Sequence, residues 1–205
     1  MTGLPDDIQA ALAAVAPGGI DYSSTASPQG TVTAWCGLAN SEDLPRVGAA
    51  LLMFGARLAM VSALQPPAPE EDEEESPTEG EATTPQSEKA PPKSFGGTPI
   101  DGTSYEIDYH FVLGGDFLTV TAYLPAGGSI PSLTPLFRAA DWPEREIMEN
   151  YSIIIRDHPD PRRLFLDPSI DAAALERLIP YSTLVNAAST RSLWDKVLAA
   201  KGGAS

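Results

Sequence analysis

Hydrophobic and polar side chains alternate most regularly between residues 104 and 124. In the segment SYEIDYHFVL, large apolar or aromatic side chains occupy every second position from Tyr105 to Leu113, and mostly polar side chains fall between them. A Gly114-Gly115-Asp116 turn follows, and the segment FLTVTAYL then runs back. The pattern predicts a β-hairpin with one face in a core and one face nearer to water.

The preceding part of the chain predicts two strands with a helix between them. The strands are expected over residues 31–38 and 56–64, and the second is expected to return beside the first. The helix is expected over residues 42–54, with Ser41 as its N-cap and Gly55 at its C-terminal end. Together these elements predict a β-α-β unit.

Two further helices are predicted on either side of these elements. An apolar stripe from Leu4 to Val15 indicates a short amphipathic helix, and we expect a linker from there to residue 25. The second helix is expected over residues 139–151. It has Asp141 as N-cap and Glu144 three residues later, which is the spacing of a capping box.

The order of these elements predicts an α+β fold. Because a β-α-β unit is followed by a hairpin and a helix, we expect a mixed sheet with its helices on one face. Residues 26–65 and 99–167 are assigned to this single domain, after an N-terminal helix and linker over residues 1–25. Residues 168–205 are predicted to form a C-terminal helical extension, with helices over about 168–179 and 191–200.

Residues 66–98 differ from the rest of the chain in composition. They contain nine acidic residues and two lysines, hence −7 of the formal net charge of −15, and Phe95 is their single aromatic residue. Such a segment cannot bury enough apolar surface to offset the cost of ordering it, so we predict a disordered acidic insertion. Because the cost of closing a loop grows slowly with its length, one domain tolerates this insertion between its strands.

Composition also argues against several classes of function. The single cysteine, Cys36, rules out a disulfide framework, a thiolate zinc site and a protein-ligated iron–sulfur cluster. The negative net charge disfavours a nucleic acid as partner, because phosphates repel such a surface. No apolar run approaches the roughly 20 residues that span a bilayer. The N-terminus lacks the basic start and apolar core of a signal peptide, so we expect a cytoplasmic protein.

The segment DWPEREIMENYSIIIRDHPDPRR, residues 141–163, combines many charges with a tryptophan and three successive isoleucines. An enzyme site there is poorly supported, because Glu144 and Glu146 diverge by about 200° around a helix. A metal site is also poorly supported, because the cluster Asp157–Asp160 lacks a second group of donors and the chain has only two histidines.

Two interpretations without catalysis are open for this segment. In the first, Arg145 and Glu149 pair at i,i+4 on a solvated helix face, and Trp142 packs in the core. In the second, the segment is a protein interface, because tryptophan and arginine are enriched at binding hot spots. The guanidinium groups of Arg162 and Arg163 could then bind carboxylates or backbone carbonyls of a partner bidentately.

Four motifs follow one another in a family-specific order: the YHF strand, the segment IPSLTPLFRAADWPEREIMEN, the isoleucine-rich step and HPDPRRL. With them, the chain from Tyr105 to Asp167 resembles the 30-kDa subunit family of complex I, which includes the corresponding subunit of the bacterial NADH–quinone oxidoreductase. The same family supplies a small subunit to energy-converting membrane-bound nickel–iron hydrogenases. The candidate interface residues that fall on the family's motif are Ser132, Thr134, Trp142, Glu144, Arg145, Glu146, His158, Asp160, Arg162 and Arg163.

The resemblance implies a non-catalytic scaffold subunit that carries no cofactor. It implies contacts with a large catalytic subunit similar to that of nickel–iron hydrogenases and with a small iron–sulfur subunit, on the cytoplasmic side of a membrane. This chain lacks the D-F-P-L tail of the family's complex I members, which favours the hydrogenase type, and it has Asp157 where the family usually has glycine. The alternative is a free-standing regulatory or assembly domain that binds a partner through its acidic insertion.

Overall fold

The computed structural model describes residues 3–67, 91–151, 153–167 and residue 169. The chain divides into two units, Met1–Phe165 and Leu166–Ser205. In the second unit, the Asp167 carboxylate accepts hydrogen bonds from the backbone N–H and the hydroxyl of Ser169. Of the disordered insertion predicted over residues 66–98, residues 68–90 lie outside the described residues, and so do the predicted C-terminal helices.

Three α-helices and seven strands make up the described part of the first unit. The helices are α1 (Ile8–Val15), α2 (Leu44–Met53) and α3 (Asp141–Asn150). The strands are β1 (Ile20–Ala26), β2 (Val32–Leu38), β3 (Arg57–Leu64), β4 (Tyr105–Leu113), β5 (Asp116–Leu124), β6 (Ser129–Pro131) and β7 (Ile154–Arg156). None of the helices within the described ranges has both the length and the hydrophobicity of a membrane-spanning segment.

Five strands form one mixed sheet in the order β1-β2-β5-β4-β3. Strands β2 and β5 are parallel, and the other neighbours in this sheet are antiparallel. The short strands β6 and β7 pair in parallel as a separate two-stranded sheet. Buried side chains from all three helices and from alternate positions of the larger sheet form one core, which confirms the α+β class.

The hairpin lies in the centre of the sheet, as its hydrophobic pattern requires. All five side chains at alternate positions from Tyr105 to Leu113 are buried, and the turn residues Gly114 and Gly115 both have positive φ. The carboxylate of Asp116 accepts backbone hydrogen bonds from Leu4 and from Val32, each at 2.8 Å. The predicted hairpin is therefore confirmed, and it also anchors the N-terminal segment.

The expectation that residues 56–64 return beside residues 31–38 is wrong. Strands β2 and β3 are parallel, but β5 and β4 lie between them. The hairpin strands bury the longest alternating series of apolar side chains, so positions in the interior of the sheet, away from its edges, suit them best.

Other local differences lie in the N-terminal half. The edge strand β1 covers Ile20–Ala26, and all of it except Ala26 fell within the predicted linker. Its polar sequence carries no alternating apolar signal because it is mostly exposed. A 3-10 turn over Ser41–Asp43 precedes α2, and Asn40 rather than Ser41 provides the capping side chain, by accepting from the backbone N–H of Glu42. Gly55 follows α2 with a φ of 77°, as predicted.

Candidate functional site

A buried carboxylate, that of Glu144 in the first turn of α3, is the centre of the candidate site. Glu144 is 0% exposed. Its Oε2 accepts hydrogen bonds from the hydroxyls of Ser132 at 2.5 Å and Thr134 at 2.8 Å. Its Oε1 accepts from the backbone N–H of Leu133 at 2.8 Å and from the hydroxyl of Tyr109 at 3.3 Å. The Glu144 side chain therefore connects the loop after β6 to the sheet. Its carboxylate makes these contacts instead of forming the predicted capping box.

The electrostatics of this cluster keep the Tyr109 hydroxyl a donor. Burial raises the pKa of the Tyr109 phenol well above its usual value, and the neighbouring Glu144 carboxylate raises it further. A carboxylate that accepts four hydrogen bonds in the interior has the partners that a buried charge requires.

His158 is the second buried polar residue of the site, with its side chain 0% exposed. Its Nδ1 accepts a hydrogen bond from the backbone N–H of Asp160 at 3.0 Å. The ring proton therefore lies on Nε2, which is 3.3 Å from the backbone oxygen of Asp141. Nε2 also lies 3.7 Å from one carboxylate oxygen each of Asp141 and Glu144. His158 thus connects the segment after β7 to the start of α3.

This arrangement does not resemble a metal site. The Nδ1 atom that a metal could use already accepts from the backbone of Asp160, and the side chain of Asp160 contacts Arg162 at 2.6 Å. The pKa of the Asp160 carboxyl is lowered, chiefly by this contact. Among the described residues, no group of three or more His, Cys, Asp or Glu side chains could hold a metal ion.

Two other side chains of α3, Arg145 and Glu149, hold the segment 160–165. Nε and Nη2 of Arg145 donate to the backbone oxygens of Arg162 at 2.9 Å and Arg163 at 2.8 Å. Oε2 of Glu149 accepts from the backbone N–H groups of Leu164 and Phe165. The Arg145 side chain is only 11% exposed, so the interpretation of this face as merely solvated is wrong.

The turn that leads into the segment has an unusual backbone conformation. Asp157 is the only non-glycine residue with a positive φ, 60°, among the described residues. This left-handed region is the one that glycine adopts most easily and that aspartate tolerates better than most residues. The backbone geometry therefore explains why glycine, expected from the resemblance, suits this position.

Only part of the candidate interface is available to a partner. Ser132, Thr134, Glu144 and His158 are buried in the chain's own fold, and Arg145 is nearly so, so these residues support the site from within. Trp142 is instead 66% exposed, which excludes the interpretation of it as a core residue. The other large exposed side chains near α3 and the segment 160–165 are Glu146, Arg162 and Phe165.

The sequence did not indicate two residues that matter here. Tyr109 was predicted only as part of an apolar face, although a buried tyrosine hydroxyl usually requires a partner, and this could have suggested a polar neighbour. Glu149 was predicted only to pair with Arg145, and the structure shows that it accepts from backbone N–H groups of a segment 15 and 16 residues away. No local pattern signals such a contact.

The candidate site lies in the part of the chain that is similar to a known family. Residues 94–183 match the family model described as respiratory-chain NADH dehydrogenase, 30 Kd subunit. The match supports the complex I 30 kDa subunit family for this part of the chain. The matched range contains the central hairpin, α3 and all ten candidate interface residues, and it excludes α1, α2 and strands β1 to β3.

Individual relatives carry related names. The chain is 35% identical over 83 residues to an NADH-quinone oxidoreductase subunit of Rhodopseudomonas palustris strain TIE-1, covering 40% of this chain and 41% of the relative. It is 30% identical over 84 residues to the mitochondrial NADH-ubiquinone oxidoreductase 30.4 kDa subunit of Neurospora crassa, covering 40% and 30%. It is 38% identical over 68 residues to an NAD(P)H-quinone oxidoreductase subunit of Prochlorococcus marinus strain AS9601, covering 28% and 39%. The chain thus spans less than half the length of these curated relatives.

Proposed function

We propose that the chain is a non-catalytic structural subunit of a membrane-associated complex of the NADH–quinone oxidoreductase type. The observation that carries this proposal is the division of the site into two parts. The buried polar side chains around Glu144 and His158 are occupied with the chain's own backbone and hydroxyl groups. What faces outward is a surface with the composition of a protein contact.

We call this exposed region the α3 surface and define it by Trp142, Glu146, Arg162 and Phe165. Trp142 and Phe165 are 66% and 61% exposed, and the Arg162 side chain is 81% exposed. A solvent-exposed tryptophan does not stabilise the isolated subunit, but burying such a side chain in a contact contributes on the order of 3 kcal/mol to the free energy of binding. Tryptophan and arginine are also the residues most often found at binding hot spots.

The α3 surface is rigid enough to serve as a contact. Arg145 and Glu149 hold the segment 160–165 along α3 through four backbone hydrogen bonds. Because the backbone is fixed before binding, a partner would not have to order it, and less free energy is lost on association.

The proposed partners follow from the family resemblance. They are the large catalytic subunit and the small iron–sulfur subunit of the complex, with peripheral attachment to the cytoplasmic face of the membrane. The names of the matched relatives support the NADH–quinone type. A hydrogenase-type complex is the variant to separate from it. The large subunit that co-purifies with the tagged chain identifies the type.

The test uses Trp142→Ala and Arg162→Ala in the tagged full chain. Loss of a hot-spot side chain costs about 2 kcal/mol, so the affinity for the large subunit should fall by about 30-fold for each variant, and less of it should co-purify. Met53→Ala is the matched control, because Met53 is 90% exposed on α2, outside the range of the family match. All three variants should unfold at the wild-type temperature. If both α3-surface variants recover the large subunit as well as Met53→Ala does, the proposed contact is wrong.

The alternative function, a free-standing domain that binds through its acidic insertion, is tested by deleting residues 68–90. The deletion must not extend to residue 98, because Lys93 bridges to Pro99 and an added Cβ at Gly96 would lie 2.4 Å from the backbone oxygen of Ala39. Assembly that survives this deletion supports the structural-subunit proposal. Loss of all binding supports the alternative.

A further inference from the structure

The five-stranded sheet has two edges, and they differ in how they are protected. Natural sheets protect their edges with bulges, prolines, charged side chains or a covering element. At the β3 edge, the pairing with β4 shifts between Leu58 and Met60, Arg57 is exposed, and the Tyr151 hydroxyl donates to the backbone oxygen of Ala63 at 3.1 Å. This edge has several protective features.

The β1 edge has hardly any of them. Strand β1 is seven residues long, pairs with β2 in uninterrupted register and contains no proline, lysine or arginine. Its single charged residue is Asp21, next to its first residue. Among the described residues, no strand lies on its outer side. A long, regular and nearly uncharged edge of this kind can accept another strand.

The register shows which backbone groups face outward. Ala39 donates to the oxygen of Gly19, and Ser27 donates to the oxygen of Thr31. Along an antiparallel pair of strands, hydrogen-bonded and non-hydrogen-bonded residue pairs alternate. The neighbouring pairs Ile20↔Leu38 and Ala26↔Val32 are therefore non-hydrogen-bonded pairs. The N–H and C=O groups of every second residue from Ile20 to Ala26 therefore point away from β2. The groups facing outward belong to Ile20, Tyr22, Ser24 and Ala26.

We propose that β1 is a docking edge at which an extended segment of a neighbouring subunit adds a sixth strand to the sheet. The incoming segment would bind these four residues through its main chain, as in other cases of strand addition. This inference rests on the proposed membership of a multi-subunit complex. It concerns a different surface from the α3 surface, and residues 20–26 lie outside the range of the family match.

The negative charge of the chain favours an incoming strand with neutral or basic side chains. The formal net charge is −15, and Asp21 is the only charged residue of β1, so two copies joined edge to edge would bring like charges together. A segment with neutral or basic side chains avoids this repulsion. Small side chains at Ser23, Ser24 and Thr25 leave room for larger ones on the incoming strand.

Amide hydrogen exchange at single-residue resolution tests the proposal, in the full chain alone and in the complex purified through it. The N–H groups of Tyr22, Ser24 and Ala26 should exchange rapidly in the isolated chain and at least 100-fold more slowly in the complex. Those of Ser23 and Thr25, which bond to β2, should be protected in both states and serve as internal controls. Unchanged exchange at the three outward amides in an assembled complex would overturn the proposal and leave the α3 surface unaffected.

A pair of variants adds an independent measurement. Ser24→Pro removes an outward N–H without breaking the bonds to β2, whereas Ser24→Ala keeps that N–H and removes only the hydroxyl. Recovery of the complex should fall at least tenfold for Ser24→Pro relative to Ser24→Ala, with equal unfolding temperatures in the isolated chains. Equal recovery would contradict the proposal. If the outward amides of the isolated chain become protected at high concentration, and its mass is that of a dimer, the incoming strand belongs to a second copy of the chain and not to a neighbouring subunit. If no complex co-purifies with the wild-type chain, the proposed function fails first.

Discussion

Replacement of Glu144 by glutamine is the sharpest test of how the site is held together. The change keeps the size of the side chain and replaces Oε1 or Oε2 by an amide nitrogen that cannot accept a hydrogen bond. If the oxygen stays in the Oε1 position, it can still accept from Leu133 and Tyr109. The nitrogen then faces the hydroxyls of Ser132 and Thr134, which must rotate to accept instead of donating.

The expected loss follows from the hydrogen bonds involved. A bond to a charged group contributes about 1.5–3 kcal/mol and a neutral one about 0.5–1.5, so each of the three bonds at 2.5 to 2.8 Å loses about 1 kcal/mol. Because the neutral amide costs less to bury than a carboxylate, about 1 kcal/mol of this loss in the free energy of unfolding is recovered. We therefore expect Glu144→Gln to lower the free energy of unfolding by about 2 kcal/mol.

Urea denaturation of the full chain, followed by circular dichroism, measures this loss. With a typical slope of about 2 kcal/mol per molar urea, the midpoint should fall by about 1 M. Glu146→Gln is the matched control, because Glu146 is exposed two positions along the same helix, and its midpoint should stay within about 0.3 M of wild type. If the two variants have the same midpoint, the Glu144 cluster does not stabilise the fold as its geometry implies.

Two further predictions concern other residues. Arg145→Lys should raise the rate of tryptic cleavage after Arg162 and Arg163 several-fold, because one ammonium group cannot reach both backbone oxygens that the guanidinium binds. The control is Arg46→Lys, at an exposed position. A cleavage rate that Arg145→Lys leaves unchanged would contradict this prediction. Burial, and to a lesser extent the charge of Asp21, raises the pKa of the Cys36 thiol from 9.0 to about 12, so the folded chain keeps a proton that the unfolded chain loses. The contribution of the buried thiol to stability is complete below pH 9 and is lost as the pH rises toward 12. Urea titrations should therefore show a smaller decrease in the free energy of unfolding over this pH range for Cys36→Ala than for the wild type. Equal decreases in the two proteins would refute this assignment.

The two halves of the fold differed in how far the sequence could predict them. The hairpin could be read directly, because alternate burial along a strand is a local property that leaves a period of two in the residues themselves. The polar strand β1 could not, because an exposed edge strand buries little and leaves no such period. The position of β3 was also out of reach, since strand order depends on which strands bury the most apolar surface together and not on their order along the chain.

The candidate site shows the same limit. The residue types around Trp142 and the paired arginines, and their order, were enough to indicate the family and to argue against catalysis in this segment. The sequence alone thus determined the α+β class, the central hairpin and the stretch of chain that carries the site. Only the tertiary structure decided which members of that stretch are buried and which are exposed. Glu144 is bound by residues 10 to 35 positions away, and Arg145 by residues 17 and 18 positions away. Such contacts are made when distant segments meet in space, and no local pattern records them.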